Sequence, residues 1–444
     1  MDNNNEMDTQ GQKSSGLWNA GLTSLATVAG ILIAGGVIYL SNTFSVSPNT
    51  ESHGATEAPF NCLVSGKRAA EGSCGVEGQS SAGACLNKKA VDACLSGGNE
   101  LCEDDLETAR IAWVYFENNY NPETGLYNST DKYPSTTMWD TGSALAATIA
   151  AKDFGFIGQK EFDDRMMAMF KTLNTFKLFN DEAPNKAYNS KTGEMVDYGN
   201  KPTPDGIGVS TLDLGRLVSW LNTAQCMHPK YKNIAKETVD RWDFSRMMKD
   251  GQMYGMARDK ETKKIKMLQE GRLGYEQYAG KVFRELGFDM SVAATYNNKF
   301  RNEENIMGVK VAHDTRDPRE FGANNYVITE SYTMDATENG LDNENIPLLK
   351  NIFDVQKERW KRTGIVTAVS EDNIDRDPWF LYNTIFNAGI QWSTVNPRGN
   401  QHSELKTVST KAALSMAVMF PEDEYSQVLM NKIESAYDPK KGWY

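Results

Sequence analysis

Histidine is scarce. His53, His228, His313 and His402 are the only four in 444 residues, scattered and never at helical ligand spacing, which argues against a zinc site built from several histidines. The cysteines form no Cys-x-x-Cys pair, which argues equally against a zinc ribbon. Basic charge is in deficit, with 47 Lys plus Arg against 59 Asp plus Glu and a formal net charge of −12, so an extended basic surface for a phosphate backbone is not expected and nucleic acid is a poor partner. Alternating βαβ texture is missing as well, which removes the doubly wound folds. What remains is a chain with 40% hydrophobic and 24% charged positions, the composition of a globular protein. Its chemistry must rest on carboxylates; neither cofactor nor metal is implied.

A short tail, 1–16, precedes 24 uncharged residues from Leu17 to Leu40. As a helix at about 1.5 Å per residue these reach roughly 36 Å, enough to cross a ~30 Å hydrocarbon layer. Trp18 and Tyr39 sit near the two ends, and the preceding sixteen residues hold one basic residue, Lys13. That favours an uncleaved single-pass anchor over 17–41 rather than a signal peptide. Lys13 before the span and no further lysine until Lys67 weakly favour a cytoplasmic N-terminus, with the rest outside the inner membrane, in the periplasm or cell exterior. Cys62, Cys74, Cys85, Cys94 and Cys102 fall within 41 residues and Cys226 makes an even six, fitting disulfides in an oxidising compartment, with fifteen possible pairings. Residues 42–103, rich in Ser, Gly, Ala and Glu, read as a Cys-containing stalk.

From about Asp104 to Tyr444 the texture changes to long amphipathic segments separated by loops carrying Gly, Pro, Asn and Asp. Helices are expected near 104–119, 138–154, 159–177, 210–226, 230–248, 274–286, 345–361, 407–419 and 421–436. Roughly ten to twelve helices, paired and joined by long irregular loops, suit a mainly α fold, an (α/α) toroid of six hairpins, better than a plain bundle or a fixed-period solenoid. The loop Tyr120-Asn121-Pro122-Glu123-Thr124-Gly125-Leu126-Tyr127 returns as Tyr437-Asp438-Pro439-Lys440-Lys441-Gly442-Trp443-Tyr444, as a ring returning to its start would require, and the sequence stops inside this second copy, so a C-terminal element is expected to be missing.

Hydrolysis of a glycosidic bond needs two carboxyl groups, one to protonate the leaving oxygen and one to activate water or attack the sugar. Four segments set acids among aromatics and glycines. In Glu270-Gly271-Arg272-Leu273-Gly274-Tyr275-Glu276, a Gly-rich loop opens a helix, Glu276 lies in its first turn, and Glu270 with Arg272 form an orienting pair; a first-turn acid also simply suits the helix dipole. The stretch Ser370-Glu371-Asp372 to Asp377-Pro378-Trp379-Phe380-Leu381-Tyr382 sets Glu371 and Asp372 beside Trp379 and Tyr382, whose rings suit the apolar faces of sugars. Trp139-Asp140 opens an Ala-rich helix, where Asp140 is either an N-cap or a partner for a sugar hydroxyl. Asp213, in Ser210-Thr211-Leu212-Asp213, has the same two readings, and Arg216 one turn later can clamp a carboxylate inside the ring. Glu330, in Ile328-Thr329-Glu330-Ser331-Tyr332, is a further candidate without a clear role.

The 104–444 region resembles a bacterial envelope domain family of unassigned function, itself similar to the glycoamylase-like, six-hairpin glycoside hydrolases that process β-1,2-glucans. The resemblance is carried in order by Trp139-Asp140-Thr141-Gly142, Ser210-Thr211-Leu212-Asp213-Leu214-Gly215, Tyr275-Glu276-Gln277-Tyr278 and Val369-Ser370-Glu371-Asp372. It implies Glu276 as acid/base and Glu371 as the second carboxylate. The remaining site residues, Trp139, Asp140, Asp213, Arg216, Glu270, Arg272, Tyr275, Asp372, Trp379 and Tyr382, then contact substrate. The function expected is that of a membrane-anchored hydrolase or transglycosylase acting on an envelope or exported glucan. The alternative is a non-catalytic glycan-binding or envelope-assembly protein on the same scaffold.

Overall fold

The computed structural model describes residues 103–316 and 325–444. The expected anchor at 17–41, the stalk up to Cys102 and the cysteines Cys62, Cys74, Cys85, Cys94 and Cys102 lie outside the described residues. Among the described residues no helix is long and apolar enough to cross a membrane.

Among the described residues ten α-helices run in chain order: α1 (Glu103–Asn119), α2 (Met138–Asp153), α3 (Gln159–Thr175), α4 (Thr211–Met227), α5 (Lys232–Asp240), α6 (Tyr275–Glu285), α7 (Glu330–Met334), α8 (Asn345–Thr363), α9 (Thr410–Met419) and α10 (Glu424–Ile433). Two kinds alternate. α3 buries one stripe, Phe162, Met166, Met169, Phe170 and Leu173, with Arg165 beside it, and leaves its opposite face to solvent. α2 and α4 are enclosed nearly all round, and their small residues permit close neighbours. A side chain at Gly215 of α4 would run into Ala279 of α6, its Cβ falling 2.6 Å from that of Ala279. The enclosed helices pack in succession, α2 on α4, α4 on α6, α6 on α7 and α7 on α9, with α3, α5, α8 and α10 outside them.

The repeated loop shows how the ring closes. Tyr120–Asn121 pairs with Leu126–Tyr127, and Tyr437–Asp438 pairs with Gly442–Trp443, two hairpins of the same form. The first follows α1 and sets Gly125, at φ 72°, against the backbone of α3 at Ala168 and Met169. The second follows α10 and sets Gly442, at φ 104°, against Ile111 and Tyr115 of α1. The Trp443 indole N–H donates to Thr108 O at 3.0 Å, tying the last strand to the first helix. Each hairpin thus lies on the next outer helix, and the last of them on α1. At Gly125 both the left-handed backbone and the absent space forbid a Cβ, so Gly125→Ala should lower the free energy of unfolding by about 3 kcal/mol, read from urea denaturation.

Every strand pair among the described residues is antiparallel, and three small sheets matter to the site. β1 (Gly208–Val209) pairs with β2 (Gln252–Arg258), which pairs with β3 (Ile265–Gln269). The hairpin of β4 (Arg301–Ile306) and β5 (Val309–Asp314) leads to Arg316. β6 (Glu371–Asn373), β7 (Phe380–Asn383) and β8 (Thr394–Val395) form the third, with Glu371 opposite Tyr382.

All nine expected helices are present. The expected 230–248 helix ends at Asp240, and the one expected from Pro421 starts only at Glu424, because Asp423 is its N-cap, accepting from the Tyr425 amide at 2.8 Å. α7, which continues into a π-helical turn at Asp335–Asn339, was not legible, since five residues span little more than one turn and carry little helical periodicity.

Candidate active site

Five enclosed helices bring their N-terminal ends together: Asp140, Asp213, Tyr275, Glu330 and Lys411 all occupy first turns, of α2, α4, α6, α7 and α9. Helix N-termini carry partial positive charge, so this end of the ring can hold buried carboxylates that water would otherwise have to solvate.

On one side stand Asp140, Asp213 and Glu270. The N-cap of α2 is Thr137 and not Asp140 as anticipated; Asp140 is the third residue of the helix and closes the capping box, its Oδ2 accepting from the Thr137 amide at 3.2 Å and hydroxyl at 2.8 Å. Burial pushes its pKa up to about 6. Glu270 Oε2 accepts from the Thr211 and Leu212 amides, 2.6 and 3.1 Å, an acceptor laid across the start of α4. Asp213 sits one turn in, with Ser210 Oγ capping its amide at 3.3 Å, and keeps a solvent-reachable face. Burial, reinforced by the charges of Glu270 and Asp140, raises its pKa to about 7.

On the other side stand Glu371, Glu330 and Asp372. Glu371, 6% exposed at the start of β6, accepts the Tyr275 hydroxyl at 2.7 Å. Burial and the neighbouring Glu330 lift its pKa to about 7, against the opposing pull of Lys411, Tyr275 and Arg272. Glu330 accepts from Ser370 Oγ at 3.1 Å and is ion-paired to Lys411, while Asp372 accepts from Ser409 Oγ at 3.0 Å.

Arg272, Tyr382, Tyr326 and Tyr198 lie between the two sides. Tyr326 and Tyr382 stack with centroids 4.1 Å apart, and Arg272 lies close enough to lower the pKa of both phenols, although burial wins in each. The charges of Asp213 and Glu270, with those of Tyr382 and Arg272, all reach the Tyr198 hydroxyl. Five buried polar atoms around this space have no hydrogen-bond partner among the described residues: Trp139 Nε1, Arg272 Nε, Tyr326 OH, Glu330 Oε1 and Asp372 Oδ2. Donors and acceptors intermixed in this way suit a ligand that carries many hydroxyls.

Two expected site residues are engaged elsewhere. Glu276 is fully buried; Arg316 pairs with it, Nη1 donating to Oε1 at 3.0 Å, and the Gln269 amide donates to the same oxygen at 3.2 Å. Arg316 is held in turn by Asp314, Nε to Oδ1 at 2.9 Å. Its helix neighbour Tyr275, not Glu276, reaches Glu371, because successive positions on a helix point about 100° apart. Arg216 does clamp a carboxylate, and it is the chain's own: Glu338 at 2.9 Å, with the guanidinium over the Trp139 ring at 4.9 Å. Trp139 packs edge-on to Tyr275, centroids 5.3 Å apart. Trp379, 45% exposed, lies at the turn joining β6 to β7. Cys226 falls in the last turn of α4. Sequence reasoning missed Tyr198, Tyr326 and Lys411. For Lys411 a signal existed, a basic residue in the first turn of an apolar helix, against the dipole.

Solved structures share this arrangement of enclosed and outer helices at the level of the fold. A "putative glucoamylase" from Bacteroides caccae superposes with a TM-score of 0.53 at 17% identity, over 77% of this chain and 86% of that one. An endo-β-1,2-glucanase from Chitinophaga pinensis, solved with sophorotriose and glucose, gives 0.52 at 13% identity, over 78% and 86%. A β-1,2-glucanase from Parabacteroides distasonis gives 0.53 at 13%, over 78% of this chain and 53% of that one. By sequence the chain belongs to DUF3131, a family of proteins of unknown function, whose model matches residues 107–444. No curated protein sequence matches it.

Proposed function

We propose that the protein is a glycoside hydrolase or transglycosylase acting on a β-glucan at the cell envelope, tethered by residues 17–41, with Asp213 as proton donor and Glu371 as the ionised partner. The observation that carries this reading is the pair of carboxyls whose pKa values are both raised to about 7, set around a space lined by Arg272, Tyr198 and Tyr382. The two differ in what surrounds them. Asp213 stands beside two further carboxylates, Glu270 and Asp140, which favour its protonated form against Ser210 and Lys186, whereas Glu371 has one such neighbour, Glu330, set against Lys411, the Tyr275 hydroxyl and Arg272, which favour its ionised form. Glu276 has a buried arginine for its partner, which supports a structural role in place of the acid/base role that resemblance implied.

In the proposed mechanism the Asp213 carboxyl passes its proton to the glycosidic oxygen as the bond to the anomeric carbon breaks. Glu371 either takes a proton from the attacking water or attacks the anomeric carbon itself. Tyr326 and Tyr382 offer aromatic surface to a sugar ring, and Arg272 Nε offers a donor to a hydroxyl.

Because activity requires Asp213 protonated and Glu371 ionised, kcat/KM should follow a bell centred near pH 7. It falls below as Glu371 takes up a proton and above as Asp213 loses one. Asp213→Asn should lower hydrolysis of linear β-1,2-glucan by about 10²- to 10⁴-fold, and by much less on an aryl glucoside whose leaving group needs no proton. Equal losses on both substrates would remove Asp213 from the donor role. Glucan binding by the wild-type protein without any turnover would favour the glycan-binding alternative.

A further inference from the structure

Lys411 is 2% exposed and lies in the first turn of α9, where its positive charge opposes the positive end of the helix. Both placements are unfavourable for a lone ammonium, which must be compensated by carboxylates close at hand. They are present on two neighbouring elements: Glu330 on α7, in direct ion pair, and Glu371 and Asp372 on β6. The other titratable groups around Glu371 are Tyr275 on α6, Arg272 in the loop before it, and Tyr326 and Tyr382. Two buried carboxylates and the half-buried Asp372 therefore share one buried ammonium. Neutral donors hold the rest: Ser370 on Glu330, Ser409 on Asp372 and Tyr275 on Glu371.

Direct pairing goes to Glu330 alone, and Glu371 receives the ammonium only at longer range, with a phenol in contact instead. We propose that Lys411 is a positioning residue: by pairing directly with Glu330 and standing at longer range from Glu371, it leaves Glu371 as the acid that exchanges protons at the site. This deepens the two-carboxylate reading by naming what regulates its ionised partner. Lys411 acts through Glu330 and Glu371, not on substrate.

The test is the pH dependence of kcat/KM on linear β-1,2-glucan, measured on the full chain, together with the carboxyl titration of Glu371 followed directly by carbon NMR of the glutamate-labelled protein. In Lys411→Met the acidic limb of the profile and the Glu371 titration should both move up by about one pH unit, as loss of a nearby opposite charge requires. Lys411→Arg should restore both. Glu330→Gln removes the competing charge and frees the ammonium, so it should move both the other way, and it retains the buried lysine if Lys411→Met does not fold. An unmoved Glu371 titration in folded Lys411→Met, or an upward shift in Glu330→Gln, overturns the inference. If the wild-type chain turns over no glucan, the hydrolase reading fails, and the NMR titration still decides the role of Lys411.

Discussion

Glu371→Gln should reduce turnover of linear β-1,2-glucan by about 10³-fold or more while leaving a folded protein that is more stable than wild type in alkaline solution. The amide keeps the shape of the carboxyl and can still accept the 2.7 Å hydrogen bond from Tyr275, so little is disturbed except charge. The sign of the stability change follows from the raised pKa. The folded carboxyl titrates near 7 and the unfolded one near ~4.3, so below about pH 4 both states are protonated and the substitution changes nothing. Between the two values the unfolded chain releases its proton first, and above about pH 7 the buried charge is a full cost that glutamine does not carry. Urea denaturation at pH 5 and pH 8 should show the gain growing with pH. A residue that weakens the fold when ionised, and is kept at the mouth of a ring, fits the trade between stability and activity expected of a working carboxylate.

Glu276→Gln should behave differently, although burial raises the pKa of this carboxyl too, against the pull of Arg316. Here the carboxylate is the partner of a buried guanidinium, and its loss leaves Arg316 with Asp314 as its ion-pair partner among the described residues. Breaking a buried pair of this kind costs about 3 kcal/mol, so the variant should unfold at clearly lower urea. Per folded molecule it should retain most of its turnover. A stable Glu276→Gln protein without activity would return Glu276 to the acid role that its motif suggests.

The contrast between these two glutamates shows what was legible in the sequence. The helical pairs, the acid-bearing loops and the ring closure could all be read, because apolar periodicity and a repeated Asx-Pro-x-x-Gly hairpin are local signals. Asp213, Arg272, Glu371 and Tyr382, singled out from their local sequence, are placed by the structure at the same end of the ring. The partner of Glu276 could not be read, because Arg316 lies 40 residues away at the end of a hairpin and nothing local couples the two. For the same reason Arg216 was anticipated as a clamp without its partner Glu338, which sits 122 positions later in a π-helical turn with no periodic signature. Lys411 was overlooked because the apolar run behind it reads as packing, although its place in a first turn, against the dipole, was a signal; its pairing with Glu330 shows which charge it balances.

The most direct measurement is reducing-end release from linear β-1,2-glucan by the full chain and by the Asp213→Asn, Glu371→Gln and Glu276→Gln variants, each normalised to folded protein. The account predicts oligosaccharide products from wild type and from Glu276→Gln, and a loss of at least about 10²-fold in the other two. Undiminished product from Asp213→Asn and Glu371→Gln, or a loss confined to Glu276→Gln, would contradict it.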